Sequence, residues 1–298
     1  MHFSLAGLFR RRGEFDRAIK IHNVLVNRED LPKKIRSRAL YELGEDYLKA
    51  GLWDRAEESF LKLSDTSESY KTIARKELLH IYETEKEWQK AIDEANIIQR
   101  QSGEDQSTRI AQLYCELTQQ NLYFKNFKGA AEALEKALKV DPNNKRALII
   151  KGKMLKAKGD IDGALATWKQ VGQISPAYGT LVVDQIASLL LEAGRKEEAV
   201  KYLEDLFKDG STTDEVDTAG ILLGKAGNSK EAIALIQEHL KTQPTLVAFY
   251  RLIDLRLANE PENESLKQLH GLLKNMLSKA VRYKCTKCGF ATRKFLWR

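Results

Sequence analysis

One spacing limits what this chain can fold into. Alanine stands at 18, 56, 91, 130, 164, 199 and 232, in steps of 38, 35, 39, 34, 35 and 33 residues. The same pattern returns around each of these alanines. In residues 38–63 (RALYELGEDYLKAGLWDRAEESFLKL), Leu43, Gly44 and Tyr47 share a face of one helix, and Ala56, Phe60 and Leu63 share a face of the next. Residues three and four apart are neighbours on a helix, so each face can bury. Gly51 suits the left-handed cap between the helices, and Asp54 stands at the start of the second, where negative charge is favoured. Small Gly44 and Ala56 let two backbones approach, while Tyr47 and Phe60 fill the space beside them.

A two-helix unit recurring about every 34 residues is the pattern of a tetratricopeptide repeat. Ala6, Phe9, Gly13 and Ala18 mark the first copy, and Gly44, Tyr47, Gly51 and Ala56 the second. The third has Leu79, Tyr82 and Lys86 where glycine is expected, then Ala91 and Ala95. Thr118, Asn121, Ala130, Leu134 and Ala137 mark a fourth, closed by Asp141-Pro142-Asn143. Gly152, Leu155, Gly159, Ala164 and Trp168 mark the fifth, in which Gly152 is expected to face Ala164. Ala187, Leu190, Gly194 and Leu203 give a sixth copy, and Gly220, Leu223, Gly227 and Ile236 a seventh. The expected fold is all-α, a right-handed tetratricopeptide-repeat superhelix over residues 1–244. Helical periodicity at 246–258 and 265–278, split by the turn signal at 259–263, predicts a capping helix pair over 245–280. Residues 281–298 alternate bulky and polar side chains and predict a small β-type appendage.

The charge is unevenly placed. From Ser265 onward there are nine Lys or Arg and no Asp or Glu, so the overall +7 less that tail leaves −2 for the rest. Such a tail is a solvated end, or a contact for an anionic membrane surface or an acidic protein. Nucleic acid comes last and is not expected: Tyr283, Phe290, Phe295 and Trp297 serve as readily to pack a small domain as to stack bases. No run of eighteen apolar residues and no signal-peptide pattern occurs, so a soluble chain is expected. Three cysteines make no disulfide framework and fit a reducing compartment; Cys115, within a helical run, reads as a buried core thiol.

Catalytic patterns are missing. The stretch 220–226 (GILLGKA) is one residue short of a phosphate loop and lacks its Ser or Thr. His2, His22, His80, His239 and His270 form no metal spacing, and there is no Gly-x-Ser-x-Gly elbow. No enzyme is expected. Cys285-Thr286-Lys287-Cys288-Gly289 is the one chemical motif. Two thiolates on a turn followed by glycine make half of a tetrahedral site for zinc or iron, which normally takes four ligands. A redox pair is the rival, but it would open a helix in a βαβ setting that this stretch does not resemble.

Repeats followed by such a knuckle resemble the lipopolysaccharide assembly protein B family of Gram-negative bacteria. The resemblance rests on LFRRRGEFDRAIKIH (8–22), AGLWDRAE (50–57), EWQKAID (87–93) and YKCTKCGF (283–290), and it covers essentially the whole chain. It implies an inner-membrane protein with an N-terminal transmembrane helix, repeats on the cytoplasmic side, and a rubredoxin-like domain of two Cys-x-x-Cys knuckles. Cys285 and Cys288 would then be two of four thiolate ligands to Zn or Fe, and 281–298 the first half of that domain. The implied role is to restrain lipopolysaccharide synthesis by presenting the lipid A pathway deacetylase to a membrane-anchored AAA+ protease, opposed by a membrane lipopolysaccharide-sensing regulator. Against that pattern the chain opens inside a first helix and stops at Trp297-Arg298, so it reads as a trimmed, soluble fragment with metal absent or substoichiometric. The alternative function is a repeat-plus-zinc-ribbon scaffold in RNA or chaperone assembly; a homodimer is also compatible with the repeats.

In this repeat the first helices of the units line a groove. By that rule Arg10, Arg11, Tyr41, Glu45, Leu48, Arg146, Ile149, Lys153 and Lys156 are candidate partner-binding residues. Arg10, Arg146, Lys153 and Lys156 are expected to form a basic wall for an acidic or C-terminal peptide.

Overall fold

Each expected hairpin closes through a residue in left-handed conformation. Gly13, Gly51, Gly159, Gly194 and Gly227 have φ from +73° to +82°, and Lys86 and Lys125 take the same conformation at +61° and +58°. These positions repeat the spacing of the alanines, step for step. At Gly51 the turn residue donates to Leu48 O at 3.1 Å and Leu52 N–H donates to Tyr47 O at 2.9 Å; the other turns close the same way. The last carbonyls of each first helix are thereby satisfied. A side chain in this conformation costs roughly 1–2 kcal/mol. Lys86→Gly is therefore expected to raise stability by about 0.5–1 kcal/mol after glycine's greater unfolded-state freedom is offset. Urea denaturation would show it as a higher midpoint at unchanged slope.

The computed structural model describes residues 2–208, 213–281, 283–285, 288–292 and 295–296. The backbone forms two compact units, Met1–Ile150 and Lys151–Arg298. The first holds the hairpins α1 (His2–Arg11) with α2 (Phe15–Asn27), α3 (Lys33–Lys49) with α4 (Trp53–Thr66), α5 (Lys71–Thr84) with α6 (Trp88–Ser102), and α7 (Ser107–Tyr123) with α8 (Phe127–Val140). Helix α9 (Lys145–Ala157) runs across the division. The second unit continues with α10 (Ile161–Ile174), a single turn α11 (Pro176–Gly179), α12 (Val183–Glu192) and α13 (Lys196–Lys208). It ends with α14 (Thr213–Lys225), α15 (Ser229–Thr242), α16 (Leu246–Asn259), α17 (Glu264–Lys279) and the strands β1 (Tyr283–Lys284) and β2 (Ala291–Thr292). The fold is thus all-α, of tetratricopeptide type, with a minimal sheet. The boundaries expected at 244 and 280 both fall within the second unit.

Within the hairpins one packing rule recurs. A Cβ built on Gly44 would come within 2.6 Å of the Phe60 ring, on Gly152 within 2.1 Å of Trp168 Nε1, and on Gly220 within 2.9 Å of Ile236 Cδ1. In each case the partner stands sixteen residues further on. Gly152 abuts Trp168: the indole, 1% exposed, takes the room that the glycine leaves. At the matching positions of the third hairpin the sizes reverse, Leu79 with Ala95, while the sixth keeps the order with Ala187 and Leu203; all four side chains are buried. The cores grow from these pairs. Phe60, Leu63, Leu78, Ile81 and Ile92 lie at the heart of the first unit. Leu203, Leu222, Leu223 and Ile236 do so in the second.

Candidate partner-binding faces and the cysteine knuckle

The knuckle forms where the cysteines predict it. β1 and β2 pair antiparallel, with Tyr283 opposite Thr292 and Lys284 opposite Ala291. Cys285 N–H donates to Phe290 O at 2.7 Å and Gly289 N–H donates to Cys285 O at 3.0 Å. Gly289, at φ +73°, makes the reversal that a side chain would resist. Thr286 and Lys287 lie outside the described residues. Cys285 and Cys288 are exposed and joined in no disulfide among the described residues. Among the described residues no third His, Cys, Asp or Glu joins them. His270 is engaged elsewhere, 3.1 Å from Asp254 Oδ1 and stacked on Tyr250 with centroids 4.9 Å apart.

Phe295 lies edge-on to Tyr283 at 5.6 Å and to Tyr178 of α11 at 5.9 Å. Phe290 is 59% exposed, and Trp297 lies outside the described residues. Cys115 is fully buried, and burial pushes its thiol up to about 12. It is a core group without nucleophilic character.

The nine groove candidates separate by burial and charge. Arg10 donates from Nη2 to Glu42 Oε2 at 2.6 Å and from Nε to Asp46 Oδ1. Arg146, 6% exposed, donates from Nη1 to Glu116 Oε1 at 2.8 Å. Neither forms part of a basic wall, because a guanidinium drawn into the protein must be neutralised there. Ile149, 7% exposed, is a core residue rather than a groove residue. Arg11 and Lys153 are exposed. So is Lys156, whose Nζ reaches Glu192 Oε2 at 2.7 Å in a solvent-facing pair that a partner can displace at little cost.

Tyr41, Glu45 and Leu48 are half-buried on α3. Their surroundings are acidic. Burial, and after it the charge of Glu77, holds the Glu45 carboxyl above the ordinary glutamate range. Burial, and then the charges of Glu45, Glu77 and Glu42, push Tyr41 up to about 12. Sequence reasoning missed Glu77, although Glu42, Glu77 and Glu116 occupy one column of the repeats, 35 and 39 residues apart. Glu42 and Glu116 take the arginines of adjoining hairpins. A carboxyl whose folded pKa is raised contributes most below its unfolded value, and that contribution is lost as pH rises through the folded value. Glu45→Gln, which cannot ionise, is thus expected to melt above the parent chain at neutral pH. That advantage should vanish on acidification below about pH 4, where Glu45 is protonated in both states. Melting curves at the two pH values check it.

No described helix is long and apolar enough to cross a membrane. The model of the tetratricopeptide repeat-like domain family matches residues 96–262. The lipopolysaccharide assembly protein B of Escherichia coli (strain K12) is 33% identical over 301 residues, covering 99% of this chain and 77% of that protein. The protein of the same name from Haemophilus influenzae is 28% identical over 304 residues, covering 99% and 74%. Among solved structures, the C-terminal part of a repeat-containing protein from Cytophaga hutchinsonii overlays at a TM-score of 0.45 and 14% identity, covering 89% of this chain and 98% of that one.

Proposed function

Because the chain belongs to the lipopolysaccharide assembly protein B family, we propose that it is a non-catalytic adaptor in the control of lipopolysaccharide synthesis. In this reading it presents the deacetylase of the lipid A pathway to a membrane-anchored AAA+ protease at the cytoplasmic face of the inner membrane. A lipopolysaccharide-sensing membrane regulator opposes that delivery. The supporting observation is the reach of the similarity, which spans 99% of the chain and so takes in the repeats and the knuckle together. A stack of helical hairpins with exposed first-helix faces suits protein capture. The remaining candidates divide by charge: Glu45, with Glu77 beside it, favours a basic segment, and Lys153 and Lys156 favour an acidic one.

The immobilised chain is expected to retain the deacetylase and the protease from a Gram-negative membrane extract. Lys153→Glu with Lys156→Glu should weaken capture of one of them while the helical circular dichroism stays intact. Failure to retain either protein would sink the adaptor reading.

In the same reading Cys285 and Cys288 are two of the thiolates that hold a structural Zn²⁺ or iron. Two soft donors on a closed turn suit either metal, and a tight site needs about four ligands. The 298-residue chain is therefore expected to carry less than one tightly bound metal, removable by a chelator. A second knuckle supplied to the chain should restore tight binding. Elemental analysis decides: one chelator-resistant metal per chain that survives Cys285→Ser would place the site elsewhere.

A further inference from the structure

The turn between α7 and α8 differs from its counterparts. Tyr123, Phe124 and Phe127 are 82%, 70% and 65% exposed. In the column of Phe127 the first three hairpins carry Phe15, Trp53 and Trp88, all half-buried. In the column of Phe124 the other hairpins carry alanine or a charged residue. Tyr123 and Phe124 meet edge to face with centroids 5.2 Å apart. Lys125 and Lys128 stand among these rings, and no Asp or Glu occurs from Thr118 to Ala131.

Three successive amides of this turn, and the side chains of its two asparagines, are bonded within it. Phe124 N–H donates to Gln120 O at 3.1 Å, Lys125 N–H to Leu122 O at 3.1 Å and Asn126 N–H to Asn121 O at 2.8 Å. The Asn126 side chain accepts from Gly129 N–H at 3.0 Å and donates to Asn121 Oδ1 at 2.9 Å. The two asparagines are thus occupied with the turn itself, and what remains to offer is aromatic surface and positive charge.

We propose that this tip is a membrane-contact site that seats Tyr123, Phe124 and Phe127 in the headgroup region of an anionic phospholipid bilayer, with Lys125 and Lys128 at the phosphates. Aromatic side chains favour that interface, and basic groups beside them are drawn to its negative potential. The headgroup region is wet and polar, so the backbone groups that the turn leaves unbonded keep partners there. A protein partner would instead call for a rim of polar groups around the rings. What stands beside these rings is uniformly positive, Lys125 and Lys128 with no acidic neighbour in sequence, which matches anionic headgroups. The inference does not rest on the adaptor reading and stands or falls separately.

Flotation of the full chain with phosphatidylcholine vesicles, with and without phosphatidylglycerol, tests it. The parent chain is expected to float with the anionic vesicles. Phe124→Ser with Phe127→Ser should lower its partition by about tenfold or more, because the anchoring apolar area is gone. Lys125→Gln with Lys128→Gln should lower it several-fold and flatten its salt dependence. These side chains are exposed, so the melting curve should not move. Phe124→Trp should add emission that shifts to the blue with anionic vesicles. Three results overturn the proposal. The parent chain does not float, or the serine variant floats equally well, as binding through the basic tail alone would give. In the third, the serine variant changes only self-association in sedimentation velocity, and the tip is then an interface between copies of this chain.

Discussion

Asp46→Ala is expected to be among the most damaging single changes in the first unit, costing about 3–5 kcal/mol. Asp46 is fully buried on α3. It accepts from Arg10 Nε, and His22 Nδ1 lies 2.6 Å from its other oxygen. The carboxylate thus ties α1 and α2 to the next hairpin. Removing it leaves a histidine that is 1% exposed without its partner and a guanidinium, only 20% exposed, with Glu42 alone to neutralise it. His22 already has Nε2 buried without a hydrogen bond, so its ring has no second partner to fall back on. Against a total stability of about 5–15 kcal/mol, the loss should show as early unfolding of the first hairpin in hydrogen exchange. Replacing Arg10, His22 and Asp46 together by Met, Leu and Leu removes the desolvation cost along with the pairing and is expected to be near neutral. A loss under about 1 kcal/mol for Asp46→Ala alone would show that the tie carries no stability.

The second large effect lies at Trp168. Its indole is 1% exposed and fills the space above Gly152. Trp168→Ala should cost about 3–5 kcal/mol by leaving a cavity that neighbouring helices cannot close. The reciprocal change, Gly152→Ala, drives a methyl into the ring and should cost about 1–3 kcal/mol. Because the two changes share one space, Gly152→Ala combined with Trp168→Leu should cost less than the sum of the separate substitutions, by about 0.5 kcal/mol or more. Strict additivity in urea denaturation would mean that the two positions do not share the space the geometry gives them.

The repeats were legible because periodicity records burial directly: a residue that must face a neighbour recurs at the spacing of the helix and of the unit. Gly51 and its counterparts announced the turns, and the cysteines announced the knuckle. What escaped lay between units or depended on size. Arg10 and Arg146 looked like exposed groove residues along their own helices, but their acidic partners sit one hairpin away, in the column of Glu42, Glu77 and Glu116. Pairing Gly152 with Ala164, small with small, leaves out the side chain that fills the space above the glycine. The structure matches it to the largest side chain in the hairpin. Helix α11 escaped because four residues are too few to show a period, and the place of Phe295 against Tyr178 is a tertiary fact that no local pattern carries.

The sixteen-residue pairing bears on how the chain avoids errors while it folds. Near-identical hairpins invite exchange, since any second helix has an apolar face acceptable to any first helix. The reversed pair of the third hairpin works against it. Trp168 set against Leu79 would collide, and Ala95 set against Gly152 would leave a void. The third hairpin is in effect keyed to itself, so a second helix from another unit meets Leu79 without a mate of matching shape. Trading helices with the third unit, within one molecule or between two, would forfeit packing at that joint. A repeat protein built from one uniform Gly–Phe pair would lack that safeguard and should show more domain-swapped species on refolding at high concentration.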